Sequence, residues 1–399
     1  MENVNITKLY IKGCVLMATV GLPEQFENWG EARRNGFLAI KKLKDEGKRV
    51  VGAYCTFTPT EIILAAGAIS VGLCGVSEEP IPEAEKILPR NLCPMVKSSY
   101  GHAITDTCPY FYFSDIVAAE TTCDGKKKMY EQMAKVKPTH IMHLPNLVDE
   151  AGIKLWAGEI KRFKERLEEF YGITITEDDI RAAIKDKNEE RALLMEYFKL
   201  GALNPPPMSG MDIHRVLYQT QFKFDRPAMK AELRKLIDDI KADYNSKEHE
   251  KTNRPRILIT GSPIAGAINK IAPAIEEAGG DVVVYENCGG PRSNRWLVDE
   301  ENPDVYEAIA EAYLKIGCSC MMNNDRRIEL LDELIDEFQI DGVIDISLTA
   351  CHTFTVESAR IKEFVTKEKG ISFLALETDY SQSDSEQLKT RFEAFIEML

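Results

Sequence analysis

Apolar and polar positions along the chain follow two patterns, arranged in three blocks. In the first block, short apolar runs bounded by glycine, proline and charged residues predict strands at 49–54, 69–73, 114–119 and 140–144. Helices are expected at 62–68 and from Gly125 onward, and a loop rich in glutamate and proline covers 77–89, with Cys93 just after it. The second block, about 155–244, has apolar positions at helical period in 161–171, 181–200 and 226–244, with charges between them. Thr176 and Asp179 form a variant of a capping box, and Asn204-Pro-Pro-Pro207 ends the helical run before a loop through Gly210. The third block returns to strands at 256–260, 281–285, 341–345 and 371–376, with a helix at 268–278 and an amphipathic helix at the C-terminus.

Strands alternating with helices predict an α/β fold of two related open, mostly parallel sheets in residues 1–150 and 251–399, with 151–250 as a helical layer or connector. The two α/β blocks share local signatures. Ala66-Gly67 and Ala278-Gly279 each close a helix, while Thr121-Thr-Cys123 and Thr349-Ala-Cys351 each end a strand. Cys93 and Cys123 lie 30 residues apart, Cys320 and Cys351 31 apart. Two such domains facing each other would present cysteines at one cleft.

At 399 residues and 44% hydrophobic, the chain has material for two cores. Its net charge of -14 removes the usual electrostatic source of nucleic-acid binding, so no such partner is expected. No apolar run reaches membrane-spanning length, since residues 62–76 are broken by glycines and a serine. Residues 1–22 carry Glu2, Lys8 and Lys12 where an export signal needs a cationic start and an uninterrupted apolar core, so a cytoplasmic location is expected.

Ten cysteines change the picture. In a reducing compartment, structural disulfides are poorly motivated in a chain of this size, which leaves metal ligation, thiol chemistry or core filling. Core filling suits Cys14, Cys74 and Cys108. Cys55, Cys123, Cys288 and Cys351 instead follow predicted strands, and Cys93 and Cys320 lie in loops just before helical segments, where backbone N–H groups stabilise thiolates. The only close pair is Cys318-Ser-Cys320, which disfavours a structural zinc site, and the short-spaced run of ferredoxins is absent. A cluster here would draw its ligands from distant loops.

Several segments resemble the 2-hydroxyacyl-CoA dehydratase and benzoyl-CoA reductase superfamily: Gly52-Ala-Tyr-Cys55-Thr-Phe-Thr-Pro-Thr-Glu61-Ile-Ile-Leu-Ala-Ala-Gly67, Thr121-Thr-Cys-Asp-Gly-Lys-Lys-Lys128, Cys318-Ser-Cys-Met-Met-Asn-Asn-Asp-Arg-Arg327, Asp341-Gly-Val-Ile344 and Cys351-His352. Cysteines in both domains are similar to those of the double-cubane cluster branch. That resemblance implies an [8Fe-9S] cluster at the interdomain cleft, with Cys55, Cys93 and Cys123 on one cubane and Cys288, Cys320 and Cys351 on the other. Cys318 is the competitor for the place of Cys320. It also implies a homodimer, anaerobic conditions and low-potential electrons from a separate ATP-hydrolysing [4Fe-4S] activator, used to reduce small unsaturated molecules such as acetylene, hydrazine or azide. The alternatives are a 2-hydroxyacyl-CoA dehydratase subunit with one [4Fe-4S] cluster, and a non-catalytic electron carrier.

Other residues carry less. The loop from Gly261 to Gly266 lacks the lysine of a phosphate-binding loop, so no nucleotide is expected on this chain. His352, beside Cys351, is a candidate proton donor or cluster hydrogen-bond partner. Glu61 and Glu357 are read as first-turn helix carboxylates, Lys126-Lys-Lys128 as a solvated helix face, and His140 and His143 as structural.

Overall fold

The computed structural model describes residues 32–399; Cys14 and the N-terminal segment expected to lack an export signal lie outside them. The first half runs α1 (Ala32–Asp45), β1 (Arg49–Ala53), α2 (Thr60–Ala65), β2 (Ala68–Gly72), α3 (Ile81–Ala84), α4 (Pro94–Thr105), α5 (Pro109–Phe113), β3 (Ile116–Glu120), α6 (Asp124–Met133) and β4 (Thr139–Met142). Four helices follow: α7 (Glu150–Tyr171), α8 (Glu177–Lys199), α9 (Gly210–Thr220) and α10 (Arg226–Asn245). The second half runs β5 (Arg256–Gly261), α11 (Ala272–Glu277), β6 (Asp281–Tyr285), α12 (Pro291–Asn294), α13 (Val305–Leu314), α14 (Asp325–Glu337), β7 (Gly342–Leu348), α15 (His352–Glu363), β8 (Ser372–Thr378) and α16 (Ser385–Ile396).

Both sheets are four-stranded and wholly parallel, in the orders β2-β1-β3-β4 and β6-β5-β7-β8. These are the same order, each strand matched to its counterpart. The inner strands β3 and β7 are buried at every position, as a parallel sheet covered on both faces requires. Val51 and Ile116 face a core with Trp156, Phe163 and Ile309, while Val50 and Val117 face one with Tyr100, Tyr110 and Tyr130. In the second sheet Ile344 and Ile346 pack with Ile213, Leu233 and Phe392, and Leu258 and Val343 with Leu331, Leu334 and Ile361. The paired Ala-Gly signatures have one cause: Gly67 and Gly279 both leave a helix at positive φ, 60° and 102°, where a side chain is strained.

The helical layer is shared by both sheets. α7 joins the core of the first sheet, whereas residues 194–240 contribute Leu194, Ile213, Leu233 and Ile237 to the core of the second. α13, although it follows β6, packs on α7 and adds Ile309 and Leu314 to the first sheet's core, so the chain crosses back between the halves. Thr176 and Asp179 make both bonds of the expected capping box. A second box, Ser209 with Asp212, starts α9, where a loop was expected. The helix expected at 268–278 divides into a 3-10 turn, Ile268–Lys270, and the short α11, because Pro273 favours a fresh helix start. Among the described residues no helix is long and apolar enough to cross a membrane.

Candidate functional site

In a sheet of order 2-1-3-4 the connections diverge between the first and third strands, and a crevice opens beyond their carboxyl ends. Cys55 follows β1 and Cys123 follows β3, on either side of that crevice in the first half. In the second half, Cys288 follows β6 and Cys351 follows β7, while Cys318 and Cys320 lie in the loop between α13 and α14. Cys93, Cys123 and Cys351 are the N-cap residues of α4, α6 and α15.

The cysteines meet across the halves. Cys55 lies within electrostatic reach of Cys288 and Cys318, and Cys123 within reach of Cys351 and Cys318. Cys351 is paired electrostatically with Cys93, and Cys320 with Cys318. Cys318 thus interacts with five other thiols: Cys55, Cys123, Cys288, Cys320 and Cys351. Cys74 donates to Tyr54 O at 3.0 Å and reaches Cys288. All nine described cysteines are free thiols.

Helix starts and buried charge divide these sulfurs into two kinds. Cys123 Sγ accepts the Lys126 N–H at 3.5 Å, while Cys93 and Cys351 make no cap hydrogen bond but feel the nearby N–H groups of Met95 and Val96 and of Phe354. The pairing with Cys351 holds Cys93 below the ordinary thiol range. The pairing with Cys320, helped by Arg292 and Arg327, holds Cys318 down at about 6. Burial pushes Cys288 up to about 11 against the pull of Arg292, and pushes Cys55 well up against Lys126. So many thiols in one place require counter-charge before they ionise together.

Two groups of charges stand behind them. Lys126 is half-buried and turns inward, in contrast to the solvated face expected from the sequence: its Nζ donates to Tyr54 O at 2.9 Å and lies 5.8 Å from the Tyr130 ring centre. Only Lys127 and Lys128 are exposed, paired with Asp124 and Glu131. Glu120, fully buried at the end of β3, accepts from Thr58 Oγ1, and burial pushes its carboxyl up to about 7 although Lys126 opposes it. On the other side, Glu286 binds Arg292 through both carboxylate oxygens, Arg327 Nε at 3.2 Å and Thr260 Oγ1 at 2.5 Å. Burial alone would raise Glu286, but the two guanidinium groups override it and hold it below the usual range. Each guanidinium carbon lies 5.0 Å from the centre of the Phe354 ring.

A cleft of about 120 Å³ reaches Cys55, lined also by Thr56, Thr58, Lys187, Arg191, Trp296 and Tyr313. Its cations are already engaged: Arg191 binds Glu61 at 2.6 Å and Lys187 binds Glu190 at 2.9 Å. Glu61 does sit in the first turn of α2, and it also accepts from Tyr313 OH at 2.7 Å. Glu357 is not in the first turn of α15; it accepts from Ser319, Asn324 and Arg327 and so ties the Cys318–Cys320 loop to that helix. His352 is exposed at the first position of α15. His140 stacks on Phe163 at 5.3 Å, and burial lowers it to about 4, as a structural histidine. The loop from Gly261 is a strand-to-helix turn: Gly261 has φ 116°, and a Cβ on Gly266 would stand 2.5 Å from Val76 O, where the two halves touch.

Lys126, Glu120, Glu286, Arg292 and Arg327 are functional candidates that the sequence did not reveal. Glu120 and Glu286 had one signal in common, a carboxylate directly after a run of apolar strand residues. Among the described residues, no three His, Cys, Asp or Glu side chains are close enough to hold one metal ion. Sulfurs from both halves, within electrostatic reach of one another and backed by fixed cations, are a donor set that suits a thiolate-held group.

The comparisons with known proteins agree on a lineage. The family model described as 2-hydroxyglutaryl-CoA dehydratase, D-component, matches residues 55–399. The Escherichia coli (strain K12) protein named "Putative dehydratase subunit YjiM" is 52% identical over 379 residues, 95% of this chain and 98% of its own. The (R)-phenyllactyl-CoA dehydratase beta subunit of Clostridium sporogenes is 25% identical over 90% of this chain and 94% of its own. One of the benzoyl-CoA reductase subunits of Thauera aromatica is 24% identical over 57% of this chain and 58% of its own. The chain belongs to the 2-hydroxyglutaryl-CoA dehydratase D-component family, within the superfamily of 2-hydroxyacyl-CoA dehydratase and benzoyl-CoA reductase subunits.

Proposed function

We propose that this protein is an iron-sulfur reductase that holds an [8Fe-9S] double-cubane cluster between its α/β domains, residues 1–150 and 251–399, and reduces small unsaturated molecules. The observation that carries the reading is the meeting of thiols from both halves at the carboxyl ends of two parallel sheets. One cubane needs only the cysteines of one half. Cys55, Cys93 and Cys123 hold the first cubane, and Cys288, Cys351 and Cys320 the second; the five thiol neighbours of Cys318 favour it as the competitor of Cys320.

When bound, the cluster supplies single electrons at low potential. The chain's own residues do the rest. Lys126 and Arg292 offset the negative charge of the thiolates, and the α4, α6 and α15 starts point N–H groups at Cys93, Cys123 and Cys351. Glu120, poised at about 7, holds a proton and passes it through Thr58, which borders the same cleft as Cys55. His352 is a second proton donor at the surface end of the site. The cleft's small volume and its internally paired cations suit a small neutral substrate. Electrons come from a separate ATP-hydrolysing [4Fe-4S] activator; this chain binds no nucleotide and works as a homodimer in an anaerobic cytoplasm.

The names of the family and of its dehydratase relatives favour a second reading, a dehydratase subunit with one [4Fe-4S] cluster. Acetylene reduction by the anaerobically purified protein, dependent on both activator and ATP, is the expected result. Dehydration of a 2-hydroxyacyl-CoA without acetylene reduction would establish the second reading, and neither activity with full iron would leave an electron carrier.

A further inference from the structure

Resting on the cluster reading, we propose that Arg292 donates a hydrogen bond from Nη1 to the inorganic group held by Cys288 and its neighbours, and so sets the potential at which that side of the site accepts an electron. The side chain is fully buried. Nε binds Glu286 Oε1, and Nη2 binds Glu286 Oε2 at 2.7 Å, Glu286 O at 3.0 Å and Gly261 O at 2.9 Å. Nη1 is buried and has no acceptor. A charged donor sealed from water without a partner is costly, so an acceptor belongs in front of it.

Glu286 holds the edge formed by Nε and Nη2, and Phe354 covers one face, with the guanidinium carbon 5.0 Å from its centre. Nη1 is the nitrogen left without a protein acceptor, and the groups that feel the Arg292 charge include Cys288 and Cys318. Arg327 is built differently although it shares Glu286 and Phe354. Its Nε goes to Glu286, its Nη1 to Ser319 and Glu357, and its Nη2 to Thr260 at 2.8 Å. Arg327 is therefore complete as a structural clamp, and Arg292 retains a donor for a ligand.

Reduction adds negative charge to the group, so a cationic donor against it stabilises the reduced state and raises the potential. Arg292→Lys keeps the charge but loses the fork, and Glu286 retains Arg327 and Thr260 to keep it paired.

The test uses anaerobically purified, iron-loaded protein, reduced to a paramagnetic state and grown with ¹⁵N-guanidinium arginine. Pulsed electron paramagnetic resonance should show an arginine ¹⁵N coupling in the unsubstituted protein that disappears in Arg292→Lys. In a redox titration of that variant, the reduction equilibrium should shift at least tenfold toward the oxidised state, about 59 mV for one electron. Full iron with no arginine coupling, or coupling to exchangeable water protons alone, overturns the assignment of Arg292 while leaving the cluster reading intact. An unchanged potential in an iron-replete variant does the same. Should Arg292→Lys fail to fold, the measurement on the unsubstituted protein decides, and an unsubstituted protein without iron overturns the cluster reading together with this one.

Discussion

The two sheets have the same strand order and bring thiols to the same end, yet the charges behind those thiols differ in kind. Behind Cys55 and Cys123 stand one lysine and a carboxyl group, Glu120, that burial pushes up to about 7. Behind Cys288 and Cys318 stand two fully buried arginines that keep Glu286 ionised. A fold can repeat its framework without repeating its electrostatics. One side is equipped to take up and release a proton near neutral pH, the other to present a fixed positive charge.

Removing the carboxylate on the fixed side should have the largest effect. Glu286→Leu leaves Arg292 and Arg327 sharing a core without their common anion, and should cost about 3–5 kcal/mol, read as a lower midpoint of denaturant unfolding. An effect as small as that of Glu120→Gln would erase the distinction between the sides.

The pH dependence should differ in sign. Glu120 is raised in the folded state, so its contribution to stability is complete below the ordinary value of 4.5 and is lost as pH climbs to about 7. That loss amounts to about 3 kcal/mol. Glu286 is lowered, so its contribution is complete above the unfolded carboxylate value and is lost as pH falls through its folded value. Unfolding iron-free protein across this range should show Glu120→Gln abolishing the decline toward neutrality while leaving acid unfolding unchanged. A decline that persists in the variant would assign it to another group.

A smaller effect is expected at Lys126. Lys126→Met removes the hydrogen bond to Tyr54 O and should cost about 1–2 kcal/mol. It should also move Glu120 higher still, because the nearby cation that opposes burial is gone. Infrared titration of the carboxyl band measures that shift. Lys127→Ala and Lys128→Ala, which break only exposed pairs, should leave the melting temperature unchanged.

Much of the framework was legible in the sequence because its signals are local. The apolar runs marked all eight strands of the described residues, Thr176 and Asp179 announced α8, and the Ala-Gly pairs reported two left-handed helix exits. Placing Cys123 and Cys351 after strands and before helices was likewise local information. α9 was missed although Ser209 and Asp212 spelled a capping box, since the prolines just before it suggested a longer loop. The return of α13 to the first sheet, and the pairing of Arg191 with Glu61 130 residues away, depend on long-range packing that periodicity does not carry. Lys126 read as solvent-facing beside two lysines that are; its inward turn becomes visible only once Tyr54 and Tyr130 are in place.

Counting iron per chain after strictly anaerobic purification shows whether sulfurs from both halves surround one inorganic core. About eight irons are predicted, falling to about half in Cys55→Ala or in Cys351→Ala. About four irons, lost through cysteines of the first half and untouched by Cys351→Ala, or a colourless protein without iron, would contradict it.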